Sequence, residues 1–200
     1  FFLYTNLLSQ FSSRFDCREQ MALLLKQSIV GLTQRIRPNR ITSIFTRTIQ
    51  TEKRIEELGY KLPAVGTPAG NFVFSTRVGN LVFTAGHLPK PADGELMVGK
   101  VGKEYTPEEG YKAAQLCALS ILGTLKAELG DLDRIKKVAK VLGFVNCEDG
   151  FGGQPAVING ASDLFVEVLG ERGKHARSAV GTNSLPMNIP VEVEVVVEVD

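Results

Sequence analysis

The sequence predicts an α+β domain in two layers, with two helices on one face of a β-sheet. Two segments have the apolar periodicity of helices, and the last strand alternates between apolar and polar residues except at Val196. In residues 191–199 every odd position is valine, whereas Glu192, Glu194, Val196 and Glu198 occupy the even positions. One face of this strand is therefore expected against the helices and the other against water or a neighbouring subunit. The elements are predicted in the order β-β-α-β-α-β.

Length and composition indicate one globular domain with some additional chain. The 200 residues include 20 glycines and 9 prolines, and 44% are apolar. The longest uncharged apolar run, residues 113–125, is shorter than the roughly 20 residues of a membrane-spanning helix, which predicts a buried helix in a soluble protein. Three cysteines without a CxxC pair and two histidines argue against a disulfide framework and against a metal site. A reducing compartment is expected.

The first fifty residues differ in charge from the rest. Residues 21–51 contain five basic side chains, no acidic ones, and many Leu, Ser and Thr. This composition predicts a mitochondrial transit peptide over residues 21–50 and a location in the mitochondrial matrix, with the cytoplasm as the alternative. A disordered basic tail, or an amphipathic helix with another binding role, is the other interpretation of this segment. Residues 1–20 precede Met21 and are interpreted as upstream sequence, which leaves residues 51–200 as the folded domain.

A short helix and a hairpin are predicted to open this domain. The helix is expected over residues 52–58 with Thr51 as its N-cap. Residues 72–75 and 81–85 flank the turn-forming sequence Arg-Val-Gly-Asn at 77–80, and together they predict a β-hairpin.

Two long helices and three strands are predicted to complete the domain. Thr106 and Glu109 have the spacing of a capping box, and Pro107 falls at the first position of a helix that ends at Gly130. A second helix is expected over residues 155–169, and strands are expected over residues 137–145, 175–180 and 191–199.

One segment carries the residues on which a chemical function can rest. It is HARSAVGTNSLPMNIPVEVEV, residues 175–195, with Arg177, the pair Leu185-Pro186 and Glu192 at fixed offsets across two predicted strands. It resembles the signature segment of the YjgF/RidA family, in which Ala-Arg-Ser is followed by Leu-Pro and by a strand that alternates apolar residues with glutamate. The three features match the spacing of that family without a gap.

Two further matches extend the resemblance to about residues 52–200. GNLVFTAGHLP, residues 79–89, is similar to the Gly-Asn-hydrophobic-Ser-Gly-Gln-hydrophobic-Pro segment of the family, and Asn159 matches another family position. The leading RIEELGYKLP and the extra length indicate the longer branch, which is labelled endoribonuclease L-PSP/chorismate mutase-like.

The resemblance implies a chorismate-mutase-like fold and a homotrimer with clefts at its three interfaces. Short-chain members of the family hydrolyse reactive enamine and imine acids, such as 2-aminoacrylate, to 2-keto acids and ammonia without a metal or an organic cofactor. A small 2-imino or 2-keto acid is therefore the expected ligand, and neither a membrane nor a nucleic acid is expected as a partner.

The resemblance also assigns catalytic roles to Arg177, Glu192 and Ala179. A guanidinium binds a carboxylate through two parallel hydrogen bonds, which suits Arg177 to an imino acid. Glu192 would orient the attacking water or accept its proton, and the backbone carbonyl of Ala179 is the other water-positioning group of the family. The remaining residues expected to bind substrate are Asn159, Phe72, Ala85 and His87.

Simpler interpretations of these residues stay open at this point. Arg177 could form a structural ion pair with Glu192 or Glu194, and Asn159 could be a helix cap or a surface residue. Phe72 replaces a tyrosine of the family and Ala85 replaces a small hydroxyl residue. His87 replaces the family's usual glutamine and is interpreted as a loop or interface histidine.

Two alternative functions also stay open. One is a trimer that binds carboxylate metabolites without turning them over, and the other is an RNA-cleaving inhibitor of translation. Residues 52–200 contain 16 basic and 20 acidic side chains, a net charge of −4, and the chain has no tryptophan. Both features argue against an RNA-binding surface, which needs a basic patch and aromatic residues for stacking.

Overall fold

The helices and strands of the domain are described by a computed structural model for residues 51–200. The predicted transit peptide and the upstream segment lie outside the described residues. The described elements, in chain order, are α1 (Thr51–Glu57), β1 (Ser75–Val78), β2 (Leu81–Thr84), α2 (Pro107–Leu129), β3 (Ile135–Asn146), α3 (Gln154–Leu169), β4 (Ala176–Thr182) and β5 (Val191–Val199). None of these helices is long and apolar enough to cross a membrane.

The five strands form one mixed sheet in the order β1-β2-β5-β3-β4. Only β3 and β4 run parallel, and every other neighbouring pair is antiparallel. With α2 and α3 on one face, the sheet confirms the predicted two-layer α+β fold. After α1 the order is β-β-α-β-α-β-β. All five strands were predicted, and the predicted order β-β-α-β-α-β counted only one of the two that follow the last helix. The edges of the sheet are β1 and β4.

The core lies between the sheet and the two long helices. All five odd-numbered valines of β5 are at most 2% exposed, while the residues between them are half-buried, as the alternation predicts. Burial of each such side chain contributes about 1.5–3 kcal/mol to folding. The helices cross closely at Gly160 of α3, where a Cβ atom would lie 2.0 Å from the Tyr111 carbonyl oxygen of α2.

The predicted start and end of α2 are confirmed. The Thr106 hydroxyl accepts a hydrogen bond from the Glu109 amide at 3.2 Å, and the Glu109 carboxylate accepts one from the Thr106 amide at 2.8 Å. The helix ends at Gly130, whose φ of 78° lies in the left-handed region that favours glycine.

Two local predictions were wrong. The first hairpin strand is Ser75–Val78 rather than residues 72–75, because β-branched Thr76 and Val78 extend the strand to a two-residue turn at Gly79-Asn80. Gly79 supplies the positive φ, 61°, that this turn needs. In addition, Thr51 belongs to α1, and its hydroxyl hydrogen-bonds Asp133 and accepts from Arg172 at 2.9 Å.

Candidate functional site

Arg177 lies on the edge strand β4, and its side chain points toward the helix layer. It pairs with Val141 of β3, which is fully buried under the helices, and paired residues of neighbouring strands project from the same face. The guanidinium reaches α3. Its Nη1 donates to Asn159 Oδ1 at 2.8 Å and to Ser162 Oγ at 3.0 Å, and its Nη2 donates to the Pro155 carbonyl at 3.3 Å.

The three acceptors are neutral, and they leave part of the guanidinium unused. Arginine has five N–H groups, so the Nε–H and one Nη2–H of Arg177 have no hydrogen-bond partner in the described part of the chain. An Nε–H and an Nη2–H of one guanidinium can together bind the two oxygen atoms of a carboxylate. The ion pair with Glu192 or Glu194 that the sequence left open is absent from residues 51–200. Half-exposed Arg177 therefore offers an unneutralised carboxylate-binding fork.

Sequence reasoning missed Ser162 and His175, which lie beside Arg177. Besides accepting from Arg177, Ser162 Oγ is 3.0 Å from His175 Nε2, and His175 Nδ1 is 2.6 Å from the Gly173 carbonyl. Burial lowers the pKa of His175; the Gly173 contact raises it, and the charge of Arg177 lowers it further. Their sequence spacing could have found both residues. Ser162 is one helical turn from Asn159, and His175 precedes Arg177 by two residues at the start of β4.

The backbone carbonyl of Ala179 points to the open edge of the sheet. In β4 the carbonyl of Thr182 accepts from the Cys147 amide at the end of β3. Carbonyls alternate in direction along a strand, so that of Ala179, three residues earlier, points away from β3. It lies two positions after Arg177 on the same face of the edge strand.

Glu192 projects from the opposite face of the sheet to Arg177. Phe144 of β3 pairs with Glu192, whereas Val141, three residues earlier, pairs with Arg177. The register is continuous between these positions, and side chains alternate between faces, so an odd separation means opposite faces. A single chain thus does not bring Arg177 and Glu192 together.

The side chain of Glu192 packs against Gly86. A Cβ atom on Gly86 would lie 1.8 Å from Glu192 Oε1, so any larger residue at position 86 would displace the carboxylate. Burial, followed by repulsion from Glu194, raises the pKa of Glu192. A carboxylate with a raised pKa is a stronger base for a proton of water than an ordinary one.

Phe72, Ala85 and His87 lie together toward the other edge of the sheet. Phe72 packs edge-to-face on Phe74 with ring centroids 6.0 Å apart, and Phe74 is 5.9 Å from His87. His87 Nδ1 is 2.7 Å from the Ala85 carbonyl and Nε2 is 2.7 Å from Thr124 Oγ1. His87 follows β2 outside the named strands, forms a β-bridge with Val193, and is only 6% exposed. Burial lowers its pKa, and the contact with Ala85 raises it.

A cavity of about 580 Å³ opens beside these residues. Phe74, Leu88 and Leu96 supply apolar wall, and His87, Thr124 and Lys90 supply polar groups. The size and the mainly apolar lining are typical of pockets for small organic ligands. No three His, Cys, Asp or Glu side chains within residues 51–200 come close enough to hold a metal ion.

The expected site residues therefore fall into two groups on different sides of β3. We call Asn159, Ser162, His175, Arg177 and Ala179 the arginine half-site, and Phe72, Ala85, Gly86, His87 and Glu192 the glutamate half-site. The arginine half-site is at the β4 edge, and the glutamate half-site extends from β5 toward the β1 edge.

Known proteins resemble this chain over the described domain. Residues 52–199 match the family model described as "YjgF/chorismate mutase-like, putative endoribonuclease". Protein TCP17 of Trypanosoma cruzi is 45% identical over 147 residues, which cover 73% of this chain and 92% of that protein.

Two crystal structures show the same fold. Protein Atu1372 of Agrobacterium tumefaciens, described as having unknown function, is 45% identical with a TM-score of 0.69, covering 76% of this chain and 94% of its own. A protein of Shewanella oneidensis described as a "putative endoribonuclease" is 33% identical with a TM-score of 0.72, covering 75% and 99% of the two chains.

Proposed function

The chain belongs to the YjgF/chorismate mutase-like family, and we propose that it hydrolyses 2-enamine and 2-imine acids to 2-keto acids and ammonia. The observation that carries this proposal is the free N–H fork of Arg177, held by three neutral acceptors of α3. Every 2-imino acid has a carboxylate bonded directly to its imine carbon. Anchoring that carboxylate fixes the position of the electrophilic carbon. The attack of water then takes place within one complex and does not depend on a chance encounter in solution.

The reaction needs one water molecule and proton transfers, with no net redox change. The enamine first takes a proton on carbon and becomes the iminium form. The water oxygen then bonds to the imine carbon while Glu192 accepts a proton from it, and the Ala179 carbonyl holds the second hydrogen of the water. Glu192 then passes this proton to the amine nitrogen of the tetrahedral intermediate. The C–N bond breaks as the C=O bond forms, nitrogen leaves as ammonia, and the hydroxyl proton returns to Glu192, which can protonate the carbon of the next enamine.

We further propose that the complete site forms between subunits of a homotrimer. The side chains of Arg177 and Glu192 project from opposite faces of one sheet, so they can act on one substrate only when two chains contribute. In this arrangement the arginine half-site of one subunit faces the glutamate half-site of the next. A closed ring of three head-to-tail contacts repeats one such cleft at each interface.

The direct test is release of ammonia and pyruvate from 2-aminoacrylate that a dehydratase generates in situ. The full chain is expected to accelerate release above the buffer background, and Arg177→Ala is expected to slow it on the order of 100-fold because positioning is lost. Arg134→Ala is the matched control, since Arg134 pairs with Asp200 away from both half-sites. A folded wild-type protein that gives no acceleration would overturn the deaminase proposal.

The alternative without turnover makes a different prediction in the same assay. The free fork of Arg177 also suits a protein that only binds carboxylates. Binding of pyruvate that is lost in Arg177→Ala, with no acceleration of ammonia release by the wild type, would favour that function. Salt-dependent binding of RNA would instead favour the endoribonuclease activity in the family description.

A further inference from the structure

We propose that Ser162 and His175 form a positioning relay that directs the free N–H fork of Arg177 toward its ligand, and that His175 makes carboxylate binding dependent on pH. This inference rests on the proposed function, because it assumes that Arg177 binds a carboxylate. Neither residue is among the substrate contacts assigned above, and neither contacts the expected ligand directly.

The hydrogen-bond directions in the relay follow from its acceptors. The Gly173 carbonyl can only accept, so His175 Nδ1, at 2.6 Å, carries the hydrogen of the neutral ring. His175 Nε2 must then accept from the hydroxyl of Ser162 at 3.0 Å. With its hydrogen committed to His175, Ser162 Oγ offers a lone pair to Arg177 Nη1, also at 3.0 Å. Arg177 thus donates a hydrogen bond to Ser162, Ser162 donates one to His175, and His175 donates one to the Gly173 carbonyl.

This relay fixes the orientation of a side chain that would otherwise be free to turn. Arg177 lies on an edge strand and is half-exposed, and a long side chain there loses rotamer entropy when it is held in one orientation. Ser162 and Asn159 saturate Nη1, and the Pro155 carbonyl of the same helix takes one hydrogen of Nη2, which leaves the Nε–H and the second Nη2–H free. His175 is itself fixed by an edge-to-face contact with Phe165, with centroids 6.1 Å apart. The anchor of the fork is therefore rigid.

The same geometry couples the charge of His175 to the binding of a carboxylate at Arg177. The two side chains share Ser162, so protonation of His175 places a second cation beside the guanidinium. A carboxylate bound to Arg177 offsets this repulsion and favours the protonated ring. By linkage, acidification through the titration of His175 must strengthen carboxylate binding.

The other charged groups near this relay have partners of their own. On α3, Asp163 is paired with Tyr111 and Glu167 with Tyr60. In residues 170–174, Glu171 is paired with Lys174 and Arg172 with Asp133. On β3, Lys140 is paired with Ser178.

The first test measures pyruvate binding to the full chain by isothermal titration calorimetry at pH 7.5 and pH 5.5. Wild type is expected to bind about two- to fivefold more tightly at the lower pH. Ser162→Ala is expected to lose about fivefold in affinity with an unchanged melting temperature, and Ser162→Thr, which restores the hydroxyl, is expected to recover it. His175→Gln, which can still accept from Ser162, is expected to bind pyruvate no more tightly at pH 5.5 than at pH 7.5.

Two outcomes would overturn the relay in this test. One is wild-type affinity in Ser162→Ala, and the other is an unchanged pH dependence in His175→Gln. In the second case the titrating group would be Glu192 or His87, the other groups of the proposed cleft with a shifted pKa.

A second test needs no ligand and separates the relay from the proposed function. The chain has two histidines, so NMR can follow the titration of each imidazole, with His175→Gln as the assignment control. Arg177→Gln is expected to raise the pKa of His175 toward 6.5 and to leave His87 unchanged. An unchanged His175 would contradict the coupling. Coupling in a protein that binds no pyruvate would refute carboxylate binding instead.

Discussion

Arg177 and Arg172 show how differently one side-chain type is used in this domain. Arg172 donates to the carbonyls of Asp133 and Ile135 and lies 3.4 Å from the Asp133 carboxylate, which offsets its charge. Arg177 donates only to neutral oxygen atoms and keeps two parallel N–H groups free. An arginine that ties elements together needs a compensating acid, whereas one that binds an anionic ligand must be held without one. The contacts of Arg177 are therefore those expected of the proposed carboxylate-binding arginine, and they include no ion pair within residues 51–200.

At Glu192 we predict opposite effects of one substitution on activity and on stability. Burial and Glu194 raise the pKa of Glu192, so above that pKa its charge destabilises the folded state relative to the unfolded one. Glu192→Gln should therefore melt at the same temperature as wild type or higher at pH 7.5. The difference should vanish at acidic pH, where the wild-type carboxyl is protonated in both states. Deaminase activity should fall about 100-fold or more because the base is lost. Differential scanning calorimetry and the ammonia assay measure the two effects.

Glu194→Gln is the matched control for this prediction. It removes a carboxylate from the same face of β5 without touching the proposed base. Turnover should persist, and the acid limb of the pH–rate profile should move to lower pH, because Glu194 raises the pKa of Glu192. Equal losses of activity in both variants would argue against Glu192 as the base.

At the scale of the elements, local sequence patterns predicted the helices and strands well, but they did not predict which site residues come together in space. The capping box at Thr106 and the valine alternation of β5 are local, and both were confirmed. The positions of Arg177 and Glu192 depend on how β3 pairs with two different strands, which no local pattern encodes. The sequence therefore identified candidate residues but not their separation onto two faces. Ser162 was missed because it belongs to no sequence motif. Its proposed role depends only on its contacts with Arg177 and His175 in the folded chain.

We predict that the crossing of α2 and α3 is intolerant of even one added methyl group. A Cβ atom on Gly160 would meet the Tyr111 carbonyl oxygen at 2.0 Å, so the helices would have to separate. Gly160→Ala should lower the free energy of unfolding by about 1–3 kcal/mol, measured by urea denaturation. Gly152→Ala is the control, since its Cβ would contact nothing within 4 Å and its φ is not in the left-handed region. Wild-type stability in Gly160→Ala would show that the helices repack freely.

At the scale of the whole molecule, the two half-sites explain why one chain is insufficient for the proposed reaction. The free fork of Arg177 and the carboxylate of Glu192 both exist in one chain, but on opposite faces of its sheet. In the proposed trimer, a head-to-tail contact would bring these unlike surfaces of two copies together. A defect in one half-site should therefore be compensated by an intact copy of that half-site from a neighbour.

This reasoning predicts complementation between two inactive variants. Arg177→Ala and Glu192→Gln should each be inactive alone. Their co-expression should restore about a quarter of wild-type activity. The reason is that random assembly pairs an intact arginine half-site with an intact glutamate half-site in one cleft of four. Co-expression of Arg177→Ala with the double variant should restore nothing, since no intact arginine half-site is present. Mixed oligomers, verified by native mass spectrometry, that remain inactive in the first pairing would show that the two residues do not meet across an interface. Recovery would place the reaction between subunits and make trimer dissociation a direct means of switching it off.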